Sequence, residues 1–431
     1  MPSNKLSQIL GISTFGESHG PAIGILFDSP IPNQEFPFDK IRKALTQRAP
    51  QTKFATSRIE PDEIEILSGV FEGKTTGAPL CIVVYNKDAR SFEYNPFKDL
   101  IRPGYADYSW LQKYHIFDYR GGGRASGRET VARVIAAELY RDLLKDIKIQ
   151  ITAIQIGEKT ASIATLSEAN PFHWPDQDSY PLLISYLKQK KLEGDSVGGV
   201  LRVRAKNIPP GLGDPIYEKL SANIAKAMFS IATIRGVLFG DGLDLARLPG
   251  SKVNDQFAQG KAQTNHHGGI LGGVSTGSDL QFDLIVRPVS SIAQEQDTIN
   301  LQGQDCKIKI DGRHDTCHIP RIIPVIEAML MICLADAIQY QRLIENRQDL
   351  SGYREALDKL DEDLILILKR RQEIVRQVKV LKKKQHLPPK DTAREHEIIM
   401  RQRTFAKELS LNEDLVEQIV NLNLRLSSFD S

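Results

Sequence analysis

The residue types best suited to chemistry cluster between Arg102 and Thr130, in the runs RPGYADY and DYRGGGRASGRET. Arg120, Arg124 and Arg128 surround the triple glycine Gly121-Gly122-Gly123. Residues without a Cβ let the backbone take positive φ and approach a ligand closely. A helical pattern begins just behind them, and helix-start amides beside fixed arginine forks bind phosphate or carboxylate. A glycine turn with solvated arginines fits the same text. The loop motif GESHG adds Glu17, Ser18 and His19. An imidazole titrates near pH 6.5, so His19 suits proton transfer, or a structural bond to a loop carbonyl. Gly312-Arg313-His314-Asp315 sets an arginine two residues from a carboxylate, which suits anion binding with proton transfer, or a surface ion pair. The run TNHHGGILGGVSTG (264–277) reads as a cofactor wrap or as a packed turn.

The elements that must position these residues follow from the apolar patterning. Glu65–Val70, Leu80–Val84, Val200–Val203 and Leu284–Val286 read as strands. Glu129–Leu144 and Pro215–Ile231 read as helices, the second following the turn at Pro209–Gly211. Strands do not alternate strictly with helices, so a doubly wound nucleotide fold is disfavoured and a layered α+β domain is expected. Beyond residue 345 the texture changes: glycine ends at Gly352 and the chain turns charged and helical. Leu357, Leu360, Leu364, Ile367, Leu368, Ile374, Val375 and Val378 recur at helical spacing in a helix from Gly352 to Lys384. Two shorter helices, Thr392–Lys407 and Asn412–Ser427, complete a three-helix segment. Its apolar stripe needs a bundle or a second copy to cover it. Arg371 follows that stripe and should point inward, where a cation needs an anionic partner. The division is 1–345 and 346–431, with Gln348–Gly352 as the hinge.

Composition narrows the function classes. The 431 residues suit one large and one small domain. Lys+Arg number 56 against 54 Asp+Glu, so bulk charge makes no case for nucleic acid or anionic membrane. Lys382–Lys384 could belong to a nucleic-acid patch, but Asp358, Asp361, Glu362 and Asp363 on the same helix oppose it. Four cysteines without CxxC spacing indicate neither zinc nor a disulfide framework. No secretory pattern opens the chain and no continuous apolar run approaches the roughly 20 residues of a span. A cytoplasmic protein is expected.

Taken in order, GESHG, EPDEIEILSGVFEGKTTGAPL, RPGYADY, GGGRASGRET, EGDSVGG, PPGLGDP, NHHGGILGG, RPVSS and GRHDTC resemble the chorismate synthase family over residues 5–340. The resemblance implies a layered β-α-β domain that converts 5-enolpyruvylshikimate 3-phosphate to chorismate by 1,4-anti elimination of phosphate. It implies reduced FMN as cofactor, with NADPH in addition if flavin reduction is intrinsic, and a homotetramer. It implies that His19 protonates or hydrogen-bonds the reduced flavin and that Asp315 assists proton removal near flavin N5, with Ser18 in support. Substrate anions would meet Arg48, Lys53, Arg58, Arg102 and Arg128. The flavin would be held by Arg124, Ala125, Ser126 and Gly272. Ala232 and Thr233 stand at the family's flavin-contacting Ile-Asn-Ala, and Arg287, Pro288, Val289, Ser290, Ser291 and Arg313 complete the set. Three departures stand out. Tyr105 replaces the family's second catalytic histidine; Gln47, Ala49 and Lys53 stand where arginines are common; RPVSS replaces KPTSS. Tyrosine ordinarily titrates near 10 and so donates a hydrogen bond without carrying charge at neutral pH.

The segment from Arg354 to Ser427 resembles the all-helical chorismate mutase family, whose three-helix chains interlock as dimers. The resemblance implies that Arg371 and Lys382 bind a chorismate carboxylate and the ether oxygen, with Arg394 a further cation. Asp391 and Glu395 would meet the hydroxyl, Ser427 a carboxylate, and Arg354 the partner chain's site. The family's ether-binding glutamine or glutamate aligns with Ser431. The two resemblances together imply a bifunctional enzyme; the alternative keeps the synthase and makes the helical module a dimerisation or ligand-sensing domain.

Overall fold

A computed structural model describes residues 4–5, 7, 9–49, 52–55, 62–87, 91–162, 170–310, 312, 314–345, 350–388, 391–409 and 411–426. The chain divides into two compact units, Met1–Arg342 and Leu343–Ser431. In the first, β1 (Ile12–Gly16), β2 (Ala22–Phe27), β3 (Ile64–Ser68) and β4 (Leu80–Tyr85) form an antiparallel sheet in the order β1-β2-β4-β3. A second antiparallel sheet contains β5 (Lys148–Ile156), β6 (Lys159–Thr160), β7 (Gly199–Lys206), β8 (Ile234–Phe239) and β9 (Leu280–Val286), ordered β8-β9-β7-β5-β6. Period-two patterning explains its faces. Leu201, Val203 and Ala205 of β7 and Phe282 and Leu284 of β9 are buried. On the other face Arg202 pairs with Asp283 at 2.7 Å and Arg204 donates to Gln281.

Six helices of this unit matter to the site: α1 (Phe38–Arg48), α2 (Asp107–Tyr114), α3 (Thr130–Leu139), α4 (Tyr180–Leu192), α5 (Leu220–Phe229) and α6 (Ile319–Glu345). One continuous apolar core joins both sheets, α3 and α6. Two expected helices are shorter than the pattern suggested. The helix expected over Glu129–Leu144 stops at Leu139, and Arg141–Leu144 forms a 3-10 turn. The helix expected from Pro215 starts at Leu220, whose amide bonds the Gly273 carbonyl at 2.8 Å. A tertiary contact thus sets that helix start.

The expectation that no apolar segment approaches a membrane span needs correction, since α6 is long and apolar enough by length and composition. Ile323, Ile326, Leu330 and Leu334 of α6 are buried, so it is a core helix. Arg321, Glu327 and Asp336 break its apolar run, and each is engaged. Arg321 pairs with Asp315, Glu327 with Arg141, and Asp336 accepts the amides of Ile9 and Leu10.

The second unit is all-helical: α7 (Leu350–Lys384), α8 (Thr392–Glu408) and α9 (Glu413–Leu426). The expected hinge is corrected in part, because Ser351 and Gly352 already belong to α7, while Gln348 and Asp349 lie outside the described residues. α8 and α9 are tied by Arg403, which meets Asp414 at 2.9 Å and also pairs with Glu417. Leu360, Leu364, Ile367 and Ile374 of α7 are more than half exposed within the single chain.

Candidate active sites

The β1–β2 turn carries Ser18 and His19, both buried. Gly121 lies directly against them with φ +68°, where a Cβ would come 2.8 Å from the His19 ring and 3.2 Å from Ser18 Oγ. Only a residue without a side chain lets the RGGGR turn close over the imidazole. The ring of Tyr94 meets His19 edge-on at 5.0 Å. Arg102 reaches the same turn, its Nη2 donating to the Gly121 carbonyl at 2.7 Å. Its Nε and Nη2 form a fork with Asp107 at 2.7 and 2.8 Å. Ser18 Oγ and Arg102 Nη1 are buried with no hydrogen-bond partner among the described residues. Orphaned buried donors are rare, and two beside one imidazole suit an anionic ligand.

Arg48, at the end of α1, and Arg128, before α3, converge on the buried carboxylate of Asp62. Arg128 Nε also donates to Asn86 Oδ1 at 3.0 Å. Both guanidiniums are buried and share this carboxylate, and guanidiniums held in fixed orientation suit an anion. Ser126 accepts the Arg128 amide and so fixes the start of this turn. Arg124 lies on the far side, bonded to Thr14 Oγ1 at 2.7 Å and 3.7 Å from Glu129. Arg120 is held by Asp118 through two parallel bonds of 2.9 Å. The three arginines therefore do not form one open cradle: Asp118 holds Arg120, Thr14 holds Arg124, and Asp62 and Asn86 hold Arg128. Lys53 is exposed and lies 5.7 Å over the Phe54 ring. Arg58 and Arg313 lie outside the described residues.

Arg102 connects this cluster to the next. Its guanidinium stacks 4.2 Å over the ring of Tyr105, and the Tyr105 hydroxyl forms a short hydrogen bond with Ser291 Oγ. Arg287, just beyond β9, donates to Ser290 Oγ at 2.7 Å and to the Gly104 carbonyl at 3.2 Å. Burial first, and the nearby Arg235 charge second, push the Arg287 guanidinium below its ordinary value. Arg287 Nε and the neighbouring Thr233 Oγ1 are buried and unpartnered among the described residues. Gly272 faces open space, and Ala232 is exposed. The orphan donors of Arg287 and Thr233 fit a ligand with several acceptors, as a flavin is. Ser291 then continues into a cleft of about 290 Å³ lined also by Lys191, Gly312, His314, Asp315 and Thr316. Asp315 Oδ2 pairs with Arg321 at 2.7 Å.

His318, immediately before α6, is buried with neither ring nitrogen bonded among the described residues. Burial, together with the Arg321 and Arg287 charges and against that of Asp315, pushes its pKa down to about 4. Sequence reasoning missed His318, Asp62, Asn86 and Asp107 as members of this region. Asp107 had a local signal, five residues after Arg102; Asp62 and Asn86 had none, being 66 and 42 residues from Arg128.

In the helical unit, Arg371 is half-buried and Nη1 donates to the Asn423 carbonyl at 2.9 Å, joining α7 to α9. That carbonyl lies near a helix end, whose dipole also favours a cation. Lys382 is half-buried three turns further along the same face. Asp391 caps α8 by accepting the Arg394 amide at 3.0 Å, and the Arg394 guanidinium pairs with Glu397 at 2.6 Å. Glu395 is half-buried, Arg354 exposed, and Ser427 and Ser431 lie outside the described residues.

Comparison with known proteins identifies both domains. The family model for chorismate synthase matches residues 10–339, and that for chorismate mutase type II matches 353–427. A chorismate synthase of Chloroflexus aggregans is 43% identical over 353 residues, 80% of this chain and 97% of that protein. One from Christiangramia forsetii is 40% identical over 344 residues, 78% of this chain and 97% of that protein. A crystal structure of chorismate synthase matches with TM-score 0.57 and 28% identity, covering 78% of this chain and 93% of that one. The chain belongs to the chorismate synthase family and carries a chorismate mutase type II domain behind it, the make-up of a bifunctional enzyme.

Proposed function

We propose that residues 1–345 eliminate phosphate from 5-enolpyruvylshikimate 3-phosphate in a 1,4-anti reaction and that residues 346–431 rearrange the resulting chorismate to prephenate. The observation that carries the first half is a pair of buried arginine groups, Arg102 on the turn that covers His19 and Arg48 with Arg128 on Asp62, the second joined to the His19 turn through Asn86. A substrate with one phosphate and two carboxylates needs fixed cations, and guanidiniums bind such groups by paired hydrogen bonds. Arg48, Arg102 and Arg128 would hold these anions, with Lys53 and Arg58 as further cations. Ser18 Oγ and Arg102 Nη1 would stabilise the leaving phosphate, and His19 would hold or donate a proton there. Asp315 would receive the ring proton. Tyr105 would donate a neutral hydrogen bond and hold Arg102 by its ring face.

Reduced FMN, when bound, supplies an electron-rich ring that assists departure of the phosphate. Arg287, Ser290, Ser291, Thr233 and the turn Arg124–Ser126 would hold it. In the helical unit Arg371 and Lys382 would bind chorismate in its diaxial form and stabilise the charge on its breaking ether bond, which needs neither nucleophile nor cofactor. A second copy would cover the exposed stripe of α7, so that mutase units pair as dimers and synthase units as tetramers, in the cytoplasm. One anaerobic assay tests both halves by following chorismate and then prephenate. The second reading, a helical unit that binds chorismate and returns it unchanged, draws on the engagement of Asp391 as a helix cap; chorismate accumulating without prephenate would establish it.

A further inference from the structure

Asn86 follows β4 and engages its backbone N–H and both ends of its side-chain amide. Its amide donates to the Pro21 carbonyl at 3.0 Å. Nδ2 donates to the carbonyls of Glu17 at 2.9 Å and Gly20 at 2.8 Å, the residues on either side of Ser18 and His19. Oδ1 accepts from Arg128 Nε at 3.0 Å. Asp62 takes the other edge of the same guanidinium. One amide therefore clamps the backbone of the His19 turn on one side and orients a buried cation on the other. The two donors meet carbonyls and the acceptor meets a cation, so the amide orientation is fixed, and no carboxylate could satisfy the same set.

We propose that Asn86 is a positioning residue for the synthase reaction, coupling the anion-binding guanidinium of Arg128 to the turn that carries His19. This rests on the assignment of both residues to that reaction. Binding of the substrate anion by Arg128 is then transmitted through one rigid amide to the placement of the imidazole, and a displacement of about 1 Å there costs up to a hundredfold in rate. Asn86→Asp separates the two ends of the joint. It keeps an acceptor for Arg128 and sets an anion against two carbonyls of the His19 turn.

The test uses the full chain with reduced FMN under anaerobic conditions. Asn86→Asp should lower kcat about tenfold while KM stays within about twofold, because the cation stays oriented and the turn does not. Asn86→Ala should cost about tenfold in kcat/KM in the native background and less than about twofold beside His19→Ala. Asn86→Ser carries the same cycle if the alanine variant melts early. Equal losses in both backgrounds, or an Asn86→Asp enzyme with unchanged kcat, would overturn the coupling. Failure of the native chain to form chorismate would instead overturn the proposed reaction.

Discussion

In the large unit Arg48, Arg102 and Arg128 are buried to more than nine-tenths, and two carboxylates, Asp62 and Asp107, hold their forks. In the helical unit Arg354 and Arg394 are exposed, and Arg371 finds a carbonyl. The first arrangement is organised by the chain itself, since removing one partner of a buried pair leaves an uncompensated charge costing about 3–5 kcal/mol. The second presents cations on helices whose apolar stripe is open. The contrast is between cations held by carboxylates within one chain and helices whose apolar stripe is exposed in the single chain, and the following experiments test it.

The largest effect should come from His19→Ala, which lowers chorismate formation by about a thousandfold, within the range of general acid–base groups. Prephenate formation from added chorismate should stay unchanged, as measured in the same preparation. Arg371→Ala should give the converse, a loss of about a hundredfold in prephenate formation with chorismate formation intact. A fall in both activities for either variant would break the separation. Leu364→Asp tests the open stripe: prephenate formation should drop about tenfold and depend on protein concentration. Chorismate formation measured in parallel should not. If prephenate formation is independent of dilution in both proteins, the helical unit is complete alone.

Smaller is the effect of pH on the large unit. The folded pKa of His318 is about 4, below its ordinary 6.5, so the unfolded chain binds the extra proton first. Stability from this group is complete above pH 6.5 and is lost as pH falls towards 4, by roughly 3 kcal/mol. His318→Leu should flatten that part of the melting-temperature profile; an unchanged acid slope would contradict the account. Smallest is Asp391→Ala, which removes a helix cap worth about 1 kcal/mol and should lower helicity at the start of α8 by circular dichroism.

Much of the site was legible because its chemistry is local. The RGGGR run announces a turn closing on something, and Gly121 against His19 is what it closes on. Arg102 could be read as an anion binder, and Asp107 lay within its motif. Asp62 and Asn86 could not be found, since neither residue type nor spacing points across a sheet edge to Arg128. The start of α5 was misread for a similar reason: the Leu220 amide is set by Gly273, not by its own neighbours. In the helical unit the stripe on α7 was clear from its period alone, whereas the engagement of Asp391 as a cap depends on the turn before α8.

The central claim is that two chemistries are carried in sequence by one chain. Its most direct test incubates the full-length protein anaerobically with reduced FMN and 5-enolpyruvylshikimate 3-phosphate and follows both products with time. Chorismate should appear first and then give way to prephenate, with one phosphate released per substrate consumed. Phosphate release without chorismate, or no turnover by the native chain, would contradict the account.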